Sequence, residues 1–198
     1  NGVAASSADL VVLLNNDVYP KKNYLKEINK YFSDPKVFAV TFNELNSSWP
    51  QVSWKGKLQY TQGVDQSSPR FSAWASGGSC IIRRSFWNKL SGFNPLFSPG
   101  YWEDIDFCER AKRQGYKIFY TGKAYLWHKN ASSSGGAGAK TSIYYQTRNR
   151  LLFAFTYASL RSKIALLKVS VRLLLTGEGW QKKAIWDFFI LKFGQLKE

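Results

Sequence analysis

The sequence predicts an α/β fold, and three of its features indicate that class. Residues 8–16 read ADLVVLLNN, a continuous apolar run that ends in polar residues, which is typical of a buried parallel strand followed by a loop. Further short apolar runs alternate with segments of helical periodicity along the chain. With 198 residues, 44% of them hydrophobic and 17% aromatic, the chain is long enough to bury a core.

The segment after the first strand is predicted to continue this alternation. Pro20 is placed to open a helix that runs to about Phe32, because proline fits the first turn of a helix. Residues 37–42 form the second predicted strand. Residues 43–72 are rich in Ser, Gln, Trp and Gly with little periodicity, so we predict a loop with at most one short helix.

The remaining elements are bounded by glycine or by polar turns. In order they are a strand at 80–83, a helix at 85–90, a loop at 98–102, a helix at 103–114, and strands at 117–120 and 124–127. The pattern from 141 to about 175 predicts one long helix, and another helix follows Gly179. We therefore expect an α/β core over residues 1–140 and a basic amphipathic helical tail over residues 141–198.

The chain carries 28 Lys and Arg against 13 Asp and Glu, a net charge of +15, which implies an acidic partner such as nucleic acid, anionic lipid or a phosphorylated substrate. Residues 140–198 hold 11 basic and 3 acidic side chains, a net +8. If residues 149–175 form one helix, a narrow basic stripe lies beside a wide apolar face. Its members are Arg150, Arg161, Lys168 and Arg172. This favours a helix on an anionic membrane surface, and a helix docked on the domain with a solvated cationic edge is the alternative.

Cysteine content and hydropathy indicate the kind of protein and its compartment. The two cysteines, Cys80 and Cys108, provide no disulfide framework and no cysteine metal cluster, which fits a reducing compartment. No apolar stretch of the sequence approaches the roughly 18 residues of a membrane-spanning helix. The chain has no methionine and begins at Asn1, so we expect it to be a piece of a longer gene product.

Three groups of residues carry side chains suited to chemistry. Residues 15–17, Asn-Asn-Asp, follow the first strand at the edge where α/β folds place ligands, and a simple turn is the alternative. Residues 103–106 put three carboxylates into the first turn of a predicted helix, where one or two would suffice for the helix dipole. His128, the one histidine, ends an apolar strand, and a structural role is the alternative there.

Taken in this order, the motifs resemble the inverting family-2 glycosyltransferases of GT-A fold, the bacterial rhamnosyltransferase-like branch in particular. The resemblance runs from Asn1 to about Leu152 and rests on LNND (14–17), SGGSCIIRRSFW (76–87), GFNPLF (92–97), YWEDIDFCERAKRQGY (101–116) and His128. It implies a GT-A-like (Rossmann-like) mixed sheet with flanking helices, truncated at the N-terminus where the family holds most nucleotide-base contacts. Asn94 stands where many relatives have Asp, and Asn15 opens the counterpart of the family's D-x-D motif, as is common in that branch.

The resemblance implies transfer of a sugar from a nucleotide-diphosphate donor to a hydroxyl of a glycan or lipid-linked acceptor, with inversion. Asp17 and His128 are predicted to hold Mn²⁺ or Mg²⁺, which neutralises the leaving diphosphate. Asp104 is the predicted general base, because inversion requires a carboxylate that takes the proton of the attacking hydroxyl. Glu103 is the alternative base.

Eight further residues are predicted to bind substrate. Small residues let the donor sugar approach the backbone, two tryptophans offer aromatic faces to sugar rings, and Arg148 meets a diphosphate. The eight are Asn15, Trp74, Ser76, Gly77, Gly78, Trp102, Asp106 and Arg148. A place in the core is the alternative for each tryptophan, and orientation of the loop or of Arg110 is the alternative for Asp106.

The expected partners are a nucleotide-sugar donor, a glycan or lipid-linked acceptor and an anionic membrane surface. Nucleic acid is not expected, because the three carboxylates of residues 103–106 would repel its phosphates. We expect a cytoplasmic protein, peripheral on the inner face of the cell membrane. The alternative function is a non-catalytic fragment that acts as a basic membrane-surface or polyanion-binding module, since the fragment lacks the family's first half-sheet.

Overall fold

The computed structural model describes residues 2–44, 49–53, 59–63, 70–128 and 140–194. The chain divides into two compact units. Unit 1 contains Asn1–Val52, Tyr60–Asn94 and Asp104–Asn130. Unit 2 contains Ser53–Gln59, Pro95–Glu103 and Ala131–Glu198.

The described ranges contain eight strands and six α-helices. The strands are β1 (Leu10–Leu14), β2 (Val18–Pro20), β3 (Val37–Glu44), β4 (Trp49–Ser53), β5 (Gln59–Gly63), β6 (Arg70–Phe71), β7 (Ser79–Arg83) and β8 (Lys117–His128). The α-helices are α1 (Gly2–Ala5), α2 (Arg84–Lys89), α3 (Glu103–Arg113), α4 (Lys140–Tyr157), α5 (Leu160–Thr176) and α6 (Gly179–Phe193). Short 3₁₀ helices span Ile28–Ser33 and Pro95–Phe97.

Six of these strands form one mixed sheet with the order β1-β7-β3-β8-β2, and β6 also pairs with β8. β3 and β8 run parallel, and the other described pairings are antiparallel. The α/β prediction is therefore confirmed. β4 and β5 pair in a separate two-stranded sheet.

The first strand differs from its prediction in two respects. β1 pairs antiparallel with β7, and its residues are half-buried or exposed rather than buried. The incomplete burial follows from its position, because β1 ends the strand order of the described sheet and has a paired neighbour on one edge only. A continuous apolar run therefore indicated a strand here but not its environment.

The predicted helix from Pro20 to Phe32 was wrong. Pro20 ends β2, which pairs with β8. Asn23 then adopts a left-handed backbone with φ 63°, and the following residues make three-residue turns, such as Lys26 N–H to the Asn23 carbonyl at 3.0 Å. A right-handed α-helix cannot include a residue with left-handed backbone angles. The apolar residues of this segment therefore lie in turns and in a 3₁₀ helix instead.

Three other boundaries differ from the predictions. The loop expected over 43–72 contains the end of β3, β4, β5 and β6, and apart from Ser72 its other residues lie outside the described ranges. The two strands expected over 117–127 form the single strand β8. The long helix expected from 141 to about 175 is broken at Ser159, whose extended backbone and side chain cap α5 by accepting a hydrogen bond from Ser162 N–H. Arg150 consequently lies on α4, apart from the other three residues of the expected basic stripe.

The core of unit 1 lies on both faces of β3, whose residues from Val37 to Asn43 are all buried. One apolar cluster joins β2, β3, β7 and β8 to the 3₁₀ helix at Ile28–Ser33. The other cluster is aromatic: the Phe107 ring of α3 lies 4.9 Å from Phe38 and 5.1 Å from Trp87, centroid to centroid. Edge-to-face rings of this kind fix α2 and α3 against the sheet.

A buried ion pair anchors α3 to the turn that follows α2. The Asp106 carboxylate, 1% exposed, accepts a hydrogen bond of 2.8 Å from Arg110 Nε. The same guanidinium donates to the carbonyls of Leu90 at 2.5 Å and Gly92 at 2.7 Å. A buried carboxylate is tolerated only with such compensation, so Asp106 and Arg110 fix how α3 is rotated.

Unit 2 is formed mainly by the packing of α4, α5 and α6. Its core contains Leu152 and Ala154 of α4 together with Ile185 and Phe188 of α6, each at most 2% exposed. No helix of the described ranges is both long enough and apolar enough to cross a membrane.

Gly92 generates a stability prediction. Its φ is +62°, and a Cβ there would lie 2.7 Å from Cζ2 of the Trp87 indole. Gly92→Ala should therefore destabilise the protein by about 2 kcal/mol or more, through left-handed strain plus overlap with a buried ring. Urea denaturation followed by tryptophan fluorescence measures the loss.

Gly115→Ala is the matched control. Gly115 also has a positive φ, +81°, but a Cβ there would meet nothing within 4 Å. Only the strain of about 1 kcal/mol should appear in that variant. Equal losses in the two variants would show that the Trp87 contact contributes nothing.

Candidate active site

A tight turn before β7 contacts two of the predicted site residues of unit 1, Asn15 and Asp104. The turn spans Ser76 to Ser79 and closes with a hydrogen bond of 3.2 Å from Ser79 N–H to the Ser76 carbonyl. The Gly77 N–H points outward and donates to Asp104 Oδ2 at 3.0 Å. The turn therefore holds the carboxylate of Asp104, the predicted base, which lies in the first turn of α3.

Both glycines of this turn are in close contact with neighbouring side chains. A Cβ on Gly78 would lie 2.5 Å from Cγ of Asn15, whose own N–H donates to the Gly78 carbonyl at 2.9 Å. A Cβ on Gly77 would lie 3.3 Å from Cζ of Phe93 and 3.4 Å from Cβ of Asp104. The turn can approach Asn15 and Asp104 this closely because it carries no side chains at these two positions.

Asp104 has the environment of a strengthened base. Burial raises its pKa, and the negative charge of Glu44 adds to this effect, whereas hydrogen bonds from the Gly77 and Ile105 N–H groups oppose it. The net direction is upward. A carboxylate with a raised pKa holds a proton more readily, which is what proton transfer from a sugar hydroxyl requires.

Sequence reasoning missed Glu44. It is the last residue of β3, and its carboxylate accepts a hydrogen bond from the Ser79 hydroxyl at the far end of the turn. The signal was present in the sequence, since Glu44 follows a predicted strand just as Asp17 follows the first one. It fell within the stretch interpreted as loop and was not considered.

The backbone places the two predicted metal ligands near one another. Asp17 is half-buried in the connection between β1 and β2, and the next residue, Val18, is paired with His128 across the β2–β8 ladder. The His128 side chain lies outside what the structure describes. No cluster of three or more His, Cys, Asp or Glu is placed to hold a metal among the described residues. A carboxylate oxygen and an imidazole are nevertheless ligand types that a divalent cation accepts.

Unit 2 organises the loop that precedes α3. Asn149 of α4 is fully buried, and its Nδ2 donates at 2.8 Å to the carbonyls of Phe97, Gly100 and Tyr101. Tyr101 and Trp102 have positive φ values of 70° and 75°, a conformation that this buried amide stabilises. The loop leads directly into Glu103, the half-buried first residue of α3.

Arg148 takes part in the same arrangement. Its Nε donates to Asn149 Oδ1 at 2.8 Å, and its NH2 group donates to the Ser98 carbonyl. The side chain is 8% exposed and lies over the Tyr145 ring, 5.0 Å from the centroid. These contacts give Arg148 a part in holding the loop, and its contact with a diphosphate stays a prediction.

Both predicted tryptophans are buried. Trp74 and Trp102 are each 4% exposed, and Trp102 packs within unit 2 against Phe153 at 5.4 Å between centroids. Burial favours the core alternative for these residues over an aromatic platform for sugar. The ion pair of Asp106 with Arg110 likewise agrees with the orienting alternative stated for that residue.

An open cleft of about 590 Å³ lies beside the turn in unit 1. Its wall includes β1 residues 11–14, Gly77, Trp87 and Phe93. The cleft is large enough for a small-molecule substrate and lies directly against the turn that supports Asp104.

The fold is that of the GT-A glycosyltransferases. The structure aligns with GalNAc-T7, determined with UDP, GalNAc and Mn²⁺, at a TM-score of 0.62 and 11% identity over 98% of this chain and 42% of that one. It also aligns with S. aureus TarS 1-349 in complex with UDP-GlcNAc, at a TM-score of 0.51 and 15% identity over 96% of this chain and 59% of that one. The predicted GT-A-like mixed sheet is thereby confirmed.

The sequence itself gives the family. Residues 1–151 match the model of glycosyltransferase like family 2, and the chain belongs to that family. Over 91 residues, 46% of this chain and 29% of the relative, it is 31% identical to the N-acetylglucosaminyl-diphospho-decaprenol L-rhamnosyltransferase of Mycobacterium tuberculosis. It is 23% identical over 150 residues to the pre-mycofactocin glycosyltransferase of that organism, covering 72% of this chain and 32% of the relative. The chain thus spans about a third of the length of these relatives.

The buried amide of Asn149 yields a second stability prediction. Asn149→Asp keeps the shape of the side chain but turns an acceptor oxygen toward three carbonyls, so it should cost about 3 kcal/mol or more. Gln146→Glu makes the same chemical change at a half-buried position of α4 and should cost less than about 1 kcal/mol. Urea denaturation of both variants tests this, and equal losses would contradict a special role for Asn149.

Proposed function

We propose that this protein transfers a sugar from a nucleotide-diphosphate donor to a hydroxyl of a glycan or lipid-linked acceptor, with inversion at the sugar carbon. The observation that carries the proposal is the hydrogen bond from Gly77 N–H to Asp104, which joins two separate motifs at a residue that lines the cleft. Membership of the family supports the reaction class. The relatedness to a rhamnosyltransferase supports a hexose or deoxyhexose as the transferred sugar.

Asp104 acts as the general base in this proposal. The acceptor hydroxyl attacks the anomeric carbon on the face opposite the leaving diphosphate, and its proton passes to the Asp104 carboxylate. Burial and the charge of Glu44 raise the pKa of Asp104, which strengthens it for this step. The Gly77 and Ile105 N–H groups hold the carboxylate in place while it accepts the proton.

Asp17 and His128 are the proposed ligands of Mn²⁺ or Mg²⁺, which when bound supplies positive charge against the departing diphosphate. Asn15 orients the same segment, since its N–H is bonded to the Gly78 carbonyl. Ser76, Gly77 and Gly78 present backbone to the donor sugar in this proposal, and Gly77, which lines the cleft, has no side chain to block close approach. GalNAc-T7 was determined with UDP and Mn²⁺, which supports a divalent metal in this fold.

The proposed acceptor is lipid-linked and lies on the anionic inner face of the cell membrane, where the protein is peripheral. The relative named for decaprenol-linked N-acetylglucosamine supports a lipid-linked acceptor. The net +8 of residues 140–198 supports an anionic surface as the place of encounter.

Replacement of the base tests the proposal. Asp104→Asn should lower turnover by about 10²-fold or more with little change in donor affinity, because the amide keeps the shape but not the basicity. Release of nucleoside diphosphate from a panel of nucleotide sugars, UDP-GlcNAc among them, measures turnover. The anomeric configuration of the product, read by NMR, reports inversion.

Glu103→Gln is the matched control and should be mild. If it is the crippling change and Asp104→Asn is mild, the two roles are exchanged. A product with retained configuration, or full activity in both variants, would refute the proposed mechanism. Urea midpoints of both variants exclude loss of folding as the cause.

Glu44 predicts a change in pH dependence. Since its charge helps to raise the pKa of Asp104, Glu44→Gln should move the acid limb of the kcat/KM profile to lower pH, because the base then loses its proton more easily. Glu109→Gln removes a charge elsewhere on α3, where Lys112 and Arg113 pair with it, and should leave the limb in place. If Glu44→Gln leaves the acid limb in place, the charge of Glu44 does not influence the pKa of the base.

A further inference from the structure

Helix α5 leaves a line of aliphatic side chains in solvent. At 100° per residue five of them fall within an arc of about 80°. They are Leu160 (75% exposed), Ile164 (49%), Leu167 (41%), Val171 (48%) and Leu175 (74%), called here the α5 stripe. Scattered exposed aliphatic residues are common on proteins, but five in one helical line form a contiguous apolar surface.

The α5 stripe is distinct from the face that packs within unit 2. Ser170, 1% exposed, marks the packed side, and Leu166 and Leu173 lie next to it as half-buried residues. These residues lie at about 220° to 280° on the helix, whereas the stripe is centred near about 20°. The exposed line is therefore additional to the apolar face that folding uses.

Basic side chains border the α5 stripe on both sides. Lys168, Arg161 and Arg172 occupy the adjoining arc from about 80° to about 120°, and all three are exposed. On the other side the basic residue is Lys163, which is half-buried at about 300°, between the packed face and the stripe. The α5 sequence contains no acidic residue. An aliphatic line between cationic borders is the pattern of a helix that lies in a lipid interface, with the long basic side chains reaching the headgroups.

Helix α6 repeats the pattern on a smaller scale. Trp186, Ile190 and Phe193 are 62%, 53% and 45% exposed and fall within an arc of about 60°. Lys182 and Lys183 border them, both exposed, and Lys183 forms an ion pair with Asp187 of the same helix. Tryptophan in particular favours the boundary between headgroup and hydrocarbon.

We propose that the α5 stripe and its basic borders dock this protein on an anionic lipid surface. The proposal rests on the proposed function for the setting, a lipid-linked acceptor, and assigns the surface that meets the membrane. Charge complementarity selects the occupant: anionic headgroups neutralise the basic borders, whereas a second copy seated on the stripe would bring two cationic borders together.

A pair of valines on one helix tests the proposal. Val171 belongs to the stripe and is 48% exposed, and Val169 is 55% exposed but lies about 160° away around the helix. Val171→Glu should reduce co-sedimentation with phosphatidylglycerol vesicles by about tenfold or more, because a charge must then enter the apolar layer. Val169→Glu makes the same charge change and should alter binding little.

A second set of variants tests the basic borders and leaves the apolar side chains unchanged. The triple substitution of Arg161, Lys168 and Arg172 by Gln should weaken vesicle binding by about 100-fold, since each basic residue contributes about 1 kcal/mol near such a surface. The equally neutralising triple at the exposed Lys22, Lys26 and Lys140 should have a smaller effect. Raised salt should mimic the first triple.

Several outcomes would overturn the assignment. These are equal effects of the two valine substitutions, binding that is as strong on pure phosphatidylcholine in high salt, or a dimer by light scattering that Val171→Glu dissociates. Transfer to a soluble acceptor should survive Val171→Glu, and vesicle binding should survive Asp104→Asn. Failure of the docking surface and failure of the proposed reaction are thus separate results.

Discussion

The close approach of the Ser76–Ser79 turn to its neighbours is the constraint on which the candidate site depends. Its Gly77 N–H supports Asp104, its Gly78 lies against Asn15, and the Ser79 hydroxyl holds Glu44. Residues far apart in the chain therefore meet at one short piece of backbone. Glycine makes this possible most clearly at Gly78, where a Cβ would lie 2.5 Å from Cγ of Asn15, whereas a Cβ at Gly77 would be tight against Phe93 at 3.3 Å.

The carboxylates at the start of α3 divide their tasks by helical geometry. Asp104 and Asp106 are two residues apart, about 200° around the helix, so they point in nearly opposite directions. Asp106 turns inward to Arg110, which is bonded to the Leu90 and Gly92 carbonyls, and this fixes the rotation of α3. The same rotation directs Asp104 at the turn. A buried structural ion pair thereby positions the proposed base without touching substrate.

Much of this site follows from the sequence, because its members stand at the ends of strongly patterned elements. The strands around Val11, Val40 and Ile81 and the helix starting at Glu103 were predicted within a few residues, and the family motifs added Asp104. Glu44 was missed although it follows a predicted strand, because it lies in a segment predicted to be a loop and its contact with Ser79 is made only in the folded chain. The helix predicted from Pro20 failed for a related reason: apolar spacing does not reveal a left-handed residue such as Asn23.

The helices of unit 2 show a different limit of sequence patterns. The periodicity over 141–175 indicates apolar residues on several sides of a helix. It does not indicate which side packs in the core, because the sequence does not distinguish a buried leucine from an exposed one. The capped break at Ser159 resolves this, because it sets the phase of α5 independently of α4. With that phase, Ser170 and its neighbours face the helices of unit 2, and five of the exposed aliphatic residues of α5 form the stripe on another side of the helix. Packing within unit 2 does not account for the α5 stripe. Its exposure to solvent is therefore the strongest argument that α5 binds a surface outside the chain.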